Sequence, residues 1–479
     1  MSRLVLSGVT VVDTRDGALT RDMSIVVDEG KIAQVAAGSH SANGSAQAVD
    51  GRGKYVVPGF LDLHAHPLSS SDPEGSLMLM LANGITGFRE MASKPEALAA
   101  RRHGKLPLSD TTPELLEMAG EILTPANAAT PEAAVAEIGK QRADGADFIK
   151  VIDVRPDVFF AALAESTRLG LRFLGHLPPS VNVRTAATAG MRSIEHLGPR
   201  DSILLGCSTD EIALREEMAQ NPPRGPQMSG PIPEAVVRRV LANPTLVTPP
   251  NEFPRYQRVV ETFSEERLHD LAAHLAVAGM WQVPTLIRIR TMELGDDPVY
   301  RNDPNLRYIP PPTRQMWQEV SQQFAKQIPL LARETLKALF ALQLQLLKPF
   351  KAAGVKMMAG SDLGGGFVVA GFGLHAEFDL LAAAGLTPLD VLQMTTLNGA
   401  EFLGRESSMG TVGPGKDANL VLLDANPIES VQNLHGIAGV VRAGTYYSRA
   451  ALDGLKQKTE ARAAAWVPTG TAVGPPCCC

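Results

Sequence analysis

Residues 56–67 read VVPGFLDLHAHP. The apolar run has the character of a strand diving into a core, and it closes on two histidines one residue apart, His64 and His66. Side chains two apart on a strand share a face, so both imidazoles aim at one point beyond its end. Two such rings either satisfy each other's surroundings as a structural pair or converge on a metal, and this stretch alone leaves both readings open.

Working outward, apolar strand-like pieces recur with helical pieces between them. After the opening run come GITGFREM (84–91), ADFIKVID (146–153), LRFLGHLP (171–178), MRSIEHLG (191–198), WQVPTLIR (281–288) and GVKMMAGSDLG (354–364). Helical stretches such as TPEAAVAEIGKQRADG (130–145) and HAEFDLLAAAG (375–385) fill the gaps. Repeated alternation of this kind predicts a parallel sheet, and about eight units predict an α/β fold with a closed (β/α)8 TIM barrel. The first ~55 residues instead alternate as short strands punctuated by Gly, Asp and Asn, and GTVGPGKDANLVLLDA (410–425) and IAGVVRAGTYYSR (437–449) have the same texture. Both chain ends are therefore expected to build a small β-sandwich, with residues 1–57 and 407–453 contributing, around a barrel over 58–406. Helical insertions are expected near 198–282 and 312–353, at the barrel mouth, and a flexible tail over 454–479.

The chain has 479 residues and a formal charge of −6, which gives no footprint for nucleic acid. No apolar run reaches the ~18 residues of a membrane helix, and the start lacks a secretory pattern, so a cytoplasmic protein with no membrane or nucleic-acid partner is expected. Of four cysteines, Cys207 stands alone and Cys477, Cys478 and Cys479 end the chain, which is no disulfide framework.

The later strands sharpen the reading of His64 and His66. His176 closes FLGH, His196 closes SIEH, Asp362 closes KMMAGSD, and Lys150 sits in DFIKV. A lysine there must snorkel, pair with a carboxylate such as Asp147 or Asp153, or be modified. Metal-ligating residue types at the ends of five separate strands form a specific joint pattern, because the C-terminal mouth of a barrel is where its active site lies. Asp62 shares the face of the two histidines and reads better as a strand support than as a ligand.

PGFLDLHAH, GADFIKV, GHLP, SIEHL, GSDLGG and the closing LTPLDVLQMTTLNGAEFLG…GTVGPGKDANLVLLD run in order through roughly residues 1–450. Together they resemble the metal-dependent amidohydrolase superfamily, in its imidazolonepropionase-like and prolidase-like branch. The resemblance implies a barrel with a β-sandwich from both termini. It implies that two divalent metal ions, zinc being favoured by the imidazoles, are held by His64, His66 and Asp362 on one side and by His176 and His196 on the other. It further implies that Lys150 is carboxylated by CO₂, its carbamate bridging both ions. A metal-bridging hydroxide would attack the scissile carbonyl, and Asp362 would be the catalytic residue that takes the proton and passes it to the leaving amine.

The expected reaction is cleavage of amide C–N bonds in dipeptides, N-acyl amino acids or an amino-acid-linked toxin amide such as ochratoxin. The alternatives are a lactonase or carboxylesterase on the same site, a mononuclear deaminase if Lys150 is merely structural, and a non-catalytic scaffold. Arg288, placed after the seventh strand at the mouth, is a candidate clamp for a substrate carboxylate. His375 is a candidate substrate contact, and Gly365, within Gly364–Gly366, a candidate for close substrate approach. Phe253 and Tyr256 are candidates for an apolar lid over an aryl group. A small-molecule substrate and a homo-oligomer are expected.

Overall fold

The computed structural model describes residues 3–38, 46–220 and 234–466 of the chain. The Cys477–Cys479 tail lies outside the described residues.

The two chain ends meet in one mixed eight-stranded sheet. Its N-terminal strands are Leu4–Val12, Leu19–Asp28, Lys31–Ala37, Gln47–Asp50 and Tyr55–Pro58, and its C-terminal strands are Leu420–Leu423, Ile437–Arg442 and Thr445–Ser448. Tyr55–Pro58 is the join. It runs parallel to the first strand and antiparallel to Leu420–Leu423, with Val56 opposite Leu422 and Pro58 opposite Leu420. Leu6, Ile25, Val56 and Leu422 share one apolar cluster, so strands far apart in sequence are held by the same burial.

Between the ends, among the described residues, the named strands pair only in parallel, and one antiparallel bridge joins Ser208 with Phe263. Phe60–Ala65, Ile85–Glu90 and Glu114–Met118 make a three-stranded sheet, and Phe148–Val151, Arg172–Gly175, Ser193–Glu195 and Trp281–Val283 a four-stranded one. Single parallel bridges join their edges: Ala119 with Phe148, Gln282 with Met357, and Ala65 with Leu363. The segment 357–363 thus lies between the last strand and the first. Every residue of Phe60–Ala65 and Ile85–Glu90 is buried, as expected of parallel strands covered on both faces.

The helices are punctuated by local chemistry. Pro131–Asp144 starts under Thr130, whose side chain accepts from the Ala133 amide, and Glu265–Ala278 starts under Ser264 in the same way. These two and Leu330–Ala353 each end at a left-handed glycine, Gly145, Gly279 and Gly354, a few residues before the next extended segment.

Three expectations need correction. The seventh strand is short: Pro284 and a left-handed Thr285 (φ 45°) stop it at Val283, and Leu286–Glu293 is a helix. Arg288 and Arg290 therefore ride on a helix, not on a mouth loop. The stretch from 454 does not begin a flexible tail, since Arg449–Ala464 is one helix capped by Ser448. It docks by burying Leu452, Thr459 and Ala463, and Arg462 grips Asp72 through two hydrogen bonds of 2.6 and 2.9 Å. Phe253 and Tyr256 do not face the mouth strands. They pack with Phe324, Ile328 and Leu336, because an amphipathic helix face looks the same in sequence whether it meets another helix or a cavity. Among the described residues no helix is long and apolar enough to cross a membrane.

Candidate metal centre

The C-terminal ends of the parallel strands bring His64, His66, Lys150, His176, His196 and Asp362 into one cluster, each at most 3% exposed. Lys150 Nζ lies 3.1 Å from His64 Nε2. Asp362 Oδ1 lies 3.3 Å from His64 Nε2 and 3.4 Å from His66 Nε2. The ring of His196 is 4.5 Å from that of His64 and 4.9 Å from that of His176, centre to centre. Potential ligand atoms of His64, His196 and Asp362 all fall within 4.8 Å of one another.

The strand ends are tightly built. Gly360 has no room for a side chain, since a Cβ there would sit 2.7 Å from His64 Cβ and 2.9 Å from the His64 nitrogen. Gly360→Ala is expected to cost about 1–3 kcal/mol by overpacking, read from a denaturant melt. An unchanged melt would show that the strand ends yield freely. His196 (φ 59°) and Asp362 (φ 52°) both adopt left-handed backbone, which turns their side chains inward at the point where each strand stops. Such conformations cost on the order of 1–3 kcal/mol and gather at functional sites.

The surroundings hold the ligand atoms in a usable state. His64 Nδ1 is 2.6 Å from Glu195 Oε2, and Glu195 stays ionised against its burial because His64 and Arg89 face it. The Nδ1 proton is thereby assigned to Glu195, and Nε2 keeps its lone pair for the centre of the cluster. His196 repeats the device: Nδ1 is 2.5 Å from Thr285 Oγ1, whose own proton goes to the Pro284 carbonyl. Burial, with the positive charge nearby, pushes the imidazoles of His176 and His196 well below the usual range, so both are neutral. Their Nε2 atoms are buried with no hydrogen-bond partner among the described residues. Leaving such atoms unpaired is costly, and a divalent cation would satisfy them. Burial opposes ionisation of Asp362, yet the imidazoles of His196 and His64 hold its carboxyl well below the ordinary value. Neutral imidazoles at His176 and His196 beside an ionised carboxylate at Asp362 fit Zn²⁺, and also Mn²⁺ or Fe²⁺.

Lys150 takes neither salt-bridge partner weighed from the sequence. Asp147 pairs with Arg101 and accepts from the Met118 amide, and the charge most felt by Asp153 is that of Arg200. Asp62 is a support: Oδ1 accepts from the Ser361 amide at 2.9 Å and Oδ2 from its hydroxyl at 2.6 Å, tying the first strand to the Asp362 segment. Burial raises its carboxyl to about 7.

The three candidate substrate contacts fare differently. Arg288 is fully buried, not at a solvent-lined mouth. Its terminal nitrogens donate to the Leu241 and Ala242 carbonyls at 2.6 and 3.1 Å, and Nε lies 3.3 Å from Asp362 Oδ2. With its fork spent in this way it is no carboxylate clamp; it orients Asp362. Gly365 makes room for it, since a Cβ there would fall 2.6 Å from Arg288 Nε. His375 is away from the cluster. Its Nε2 is 2.8 Å from the Asn83 carbonyl and its ring packs on Phe60, at the opposite end of the strand from His64 and His66. Burial, and the neighbouring His435, push it down to about 3, which keeps it neutral.

Four supporting residues escaped the sequence reading: Glu195, Thr285, Glu90 and Arg89. Glu90 Oε1 lies 3.5 Å from His66 Nδ1 while its carboxylate also accepts from the Leu68 amide. The signal that could have found three of them is a charged residue within a strand-like apolar run: Glu195 directly before His196, and Arg89 and Glu90 at the close of GITGFREM.

The amidohydrolase family model matches residues 327–446, the stretch that carries Asp362. The match covers 120 of the chain's 479 residues. A dihydroorotase of Pelotomaculum thermopropionicum is 42% identical over 64 residues, a segment that spans 13% of this chain and only 14% of that protein. Among solved structures, the chain is similar to bottromycin amidohydrolase (TM-score 0.66, 23% identity, 96% of this chain and 90% of the other). It is similar also to an Xaa-Pro dipeptidase (0.61, 17%, 93% and 100%) and to the ochratoxinase of A. niger (0.58, 14%, 93% and 96%). At these identities the likeness is one of α/β fold.

Proposed function

We propose that this amidohydrolase-family enzyme cleaves amide C–N bonds of small amino-acid derivatives with two divalent metal ions, zinc in the first instance. The observation that carries the reading is the convergence of four imidazoles, one ionised carboxylate and one buried lysine amine within a single cluster. His64, His66 and Asp362 would hold one ion and His176 and His196 the other, with Lys150 as a carbamate between them. In support, a bare ammonium can donate to His64 Nε2 but has no lone pair to offer a cation, and carboxylation would turn it into an acceptor. In the same reading the parallel strands and the 357–363 segment form one closed (β/α)8 barrel, flanked by a β-sandwich from the chain ends, and the three edge bridges support that closure.

When bound, such ions polarise a carbonyl and lower the pKa of water. The chain's own residues do the rest. Asp362 accepts the proton of the attacking water at its carboxylate and returns it to the departing nitrogen. Arg288 holds that carboxylate in place through Oδ2. Glu195 and Thr285 fix the tautomers of His64 and His196. Burial of the cluster keeps bulk water from competing for these contacts. Dipeptides, N-acyl amino acids and an amide such as ochratoxin are the substrates of choice, a reading supported by the dipeptidase and the ochratoxinase that share the fold.

The test is elemental analysis of protein prepared with zinc and bicarbonate, beside a Lys150→Ala variant. About two ions per chain, dropping to one or fewer in the variant, is the expected result. One ion per chain regardless of Lys150 would remove the bridged pair, and no tightly held ion would remove the catalytic reading altogether.

A further inference from the structure

A cavity of about 730 Å³ opens beside the cluster. Leu363 and Gly364, the two residues after Asp362, line it, and a Cβ on Gly364 would lie 3.2 Å from His66 Cβ. Ser69 on its wall donates to Glu90 Oε1 at 3.4 Å, the carboxylate that faces His66. The cavity therefore abuts the chain segments that carry two of the proposed ligands.

Much of its lining is apolar. Tyr308 closes the turn Pro304–Tyr308, Met316 and Trp317 come from the helix Pro311–Gln327, Leu241 from the end of the helix Glu234–Ala242, and Val368 from the loop after Asp362. The aromatic wall is rigid: Trp317 packs on Phe367 at 5.5 Å, and Tyr308 stacks on Phe372 at 5.6 Å with an interplanar angle of 11°. The polar lining is mainly hydroxyl, from Ser69 to Ser71 and Thr313. Its charges are engaged elsewhere. Asp72 is held by Arg462 and caps the helix Pro73–Ala82, and Arg238 has a partner of its own. A pocket of this size, with flat apolar walls and neutral donors, suits a bulky uncharged group and gives a second carboxylate or ammonium no reward.

We propose that this cavity is the subsite for an uncharged aryl-bearing group on one side of the scissile amide, with Trp317 and Tyr308 as its specificity-determining walls. The proposal rests on the amide-hydrolysis reading and adds the substrate class to it. Filling such a pocket with a phenyl group is worth a factor of about 10–100 in selectivity over a methyl group.

The test compares N-acetyl-alanine with N-benzoyl-alanine and N-acetyl-phenylalanine on the zinc-loaded enzyme, and repeats the comparison with Trp317→Ala and Trp317→Phe. Hydrolysis is followed by released amino acid and binding by titration calorimetry. At least one aryl compound is expected to show about a tenfold or greater advantage in kcat/KM, which collapses in Trp317→Ala and returns in Trp317→Phe. Equal hydrolysis of all three, or an aryl advantage indifferent to Trp317, overturns the subsite and leaves the amidase reading standing. No hydrolysis of any of the three, with aryl binding that weakens tenfold in Trp317→Ala, upholds the subsite and removes the amidase reading. Neither hydrolysis nor binding removes both.

Discussion

Asp362→Asn is expected to lower amide turnover by about 10²–10⁴-fold, the range for loss of a positioned proton carrier. Asparagine keeps the size of the side chain and an oxygen for the cluster, but it neither takes nor returns a proton. Turnover is the decisive quantity, measured beside metal content and the far-ultraviolet circular dichroism spectrum. The backbone at Asp362 is left-handed, a conformation that asparagine tolerates as well as aspartate, so the local turn is expected to survive. Arg288 Nε loses the charge opposite it but keeps its two backbone carbonyls. A variant that holds its metal and turns over at the parental rate would strip Asp362 of the proton-carrying role.

The second large effect is expected at Glu195, a residue outside the ligand set. Glu195→Ala removes the acceptor that fixes His64 in the tautomer with Nε2 free, and loss of such a support typically lowers metal affinity by about 10–100-fold. It also strands Arg89, which is fully buried between the rings of Phe148 and Phe402 with Glu195 Oε1 at 3.7 Å. Removing one member of a buried charge pair costs about 3–5 kcal/mol, so the variant is expected to be less stable as well as a poorer metal binder. Glu195→Gln separates the two effects. The amide oxygen still accepts from His64 Nδ1, whereas the charge opposite Arg89 is gone. Metal affinity in Gln close to the parent, with a stability loss close to that of Ala, is the expected split. Parental metal affinity in the Ala variant would show that His64 needs no orienting partner.

The clustered residues were legible because each is an anomaly in its own strand. A histidine, aspartate or lysine at the close of an apolar run stands out against what a buried strand normally carries, and several such anomalies at equivalent positions point to one place in space. The residues behind them were not legible for the converse reason. Glu195 explains itself through His64 and Arg89, partners more than a hundred positions away. No local period announces a contact of that kind. The segment VPTLIR misled through composition: β-branched and apolar residues favour a strand, but Pro284 and the left-handed Thr285 end it, and the following turns are buried as a helix. That one error moved Arg288 from an imagined solvent-facing clamp to the interior. The Phe253–Tyr256 stretch shows the limit of amphipathic patterning, which reports that a face is covered and not by what.

The helix Arg449–Ala464 leads to a consequence for handling the protein. Thr459 and Trp466 lie on the wall of the cavity beside Asp362, and Arg462 anchors that wall through Asp72. The last described helix is thus a door jamb for the pocket, though it belongs to none of the parallel strands that carry the cluster. A chain shortened before Arg449 would keep every proposed ligand and lose one side of the room next to them. An affinity handle fused after Trp466 would hang at the same threshold. Preparations that differ only at this end would bind metal alike and differ in which substrates they accept.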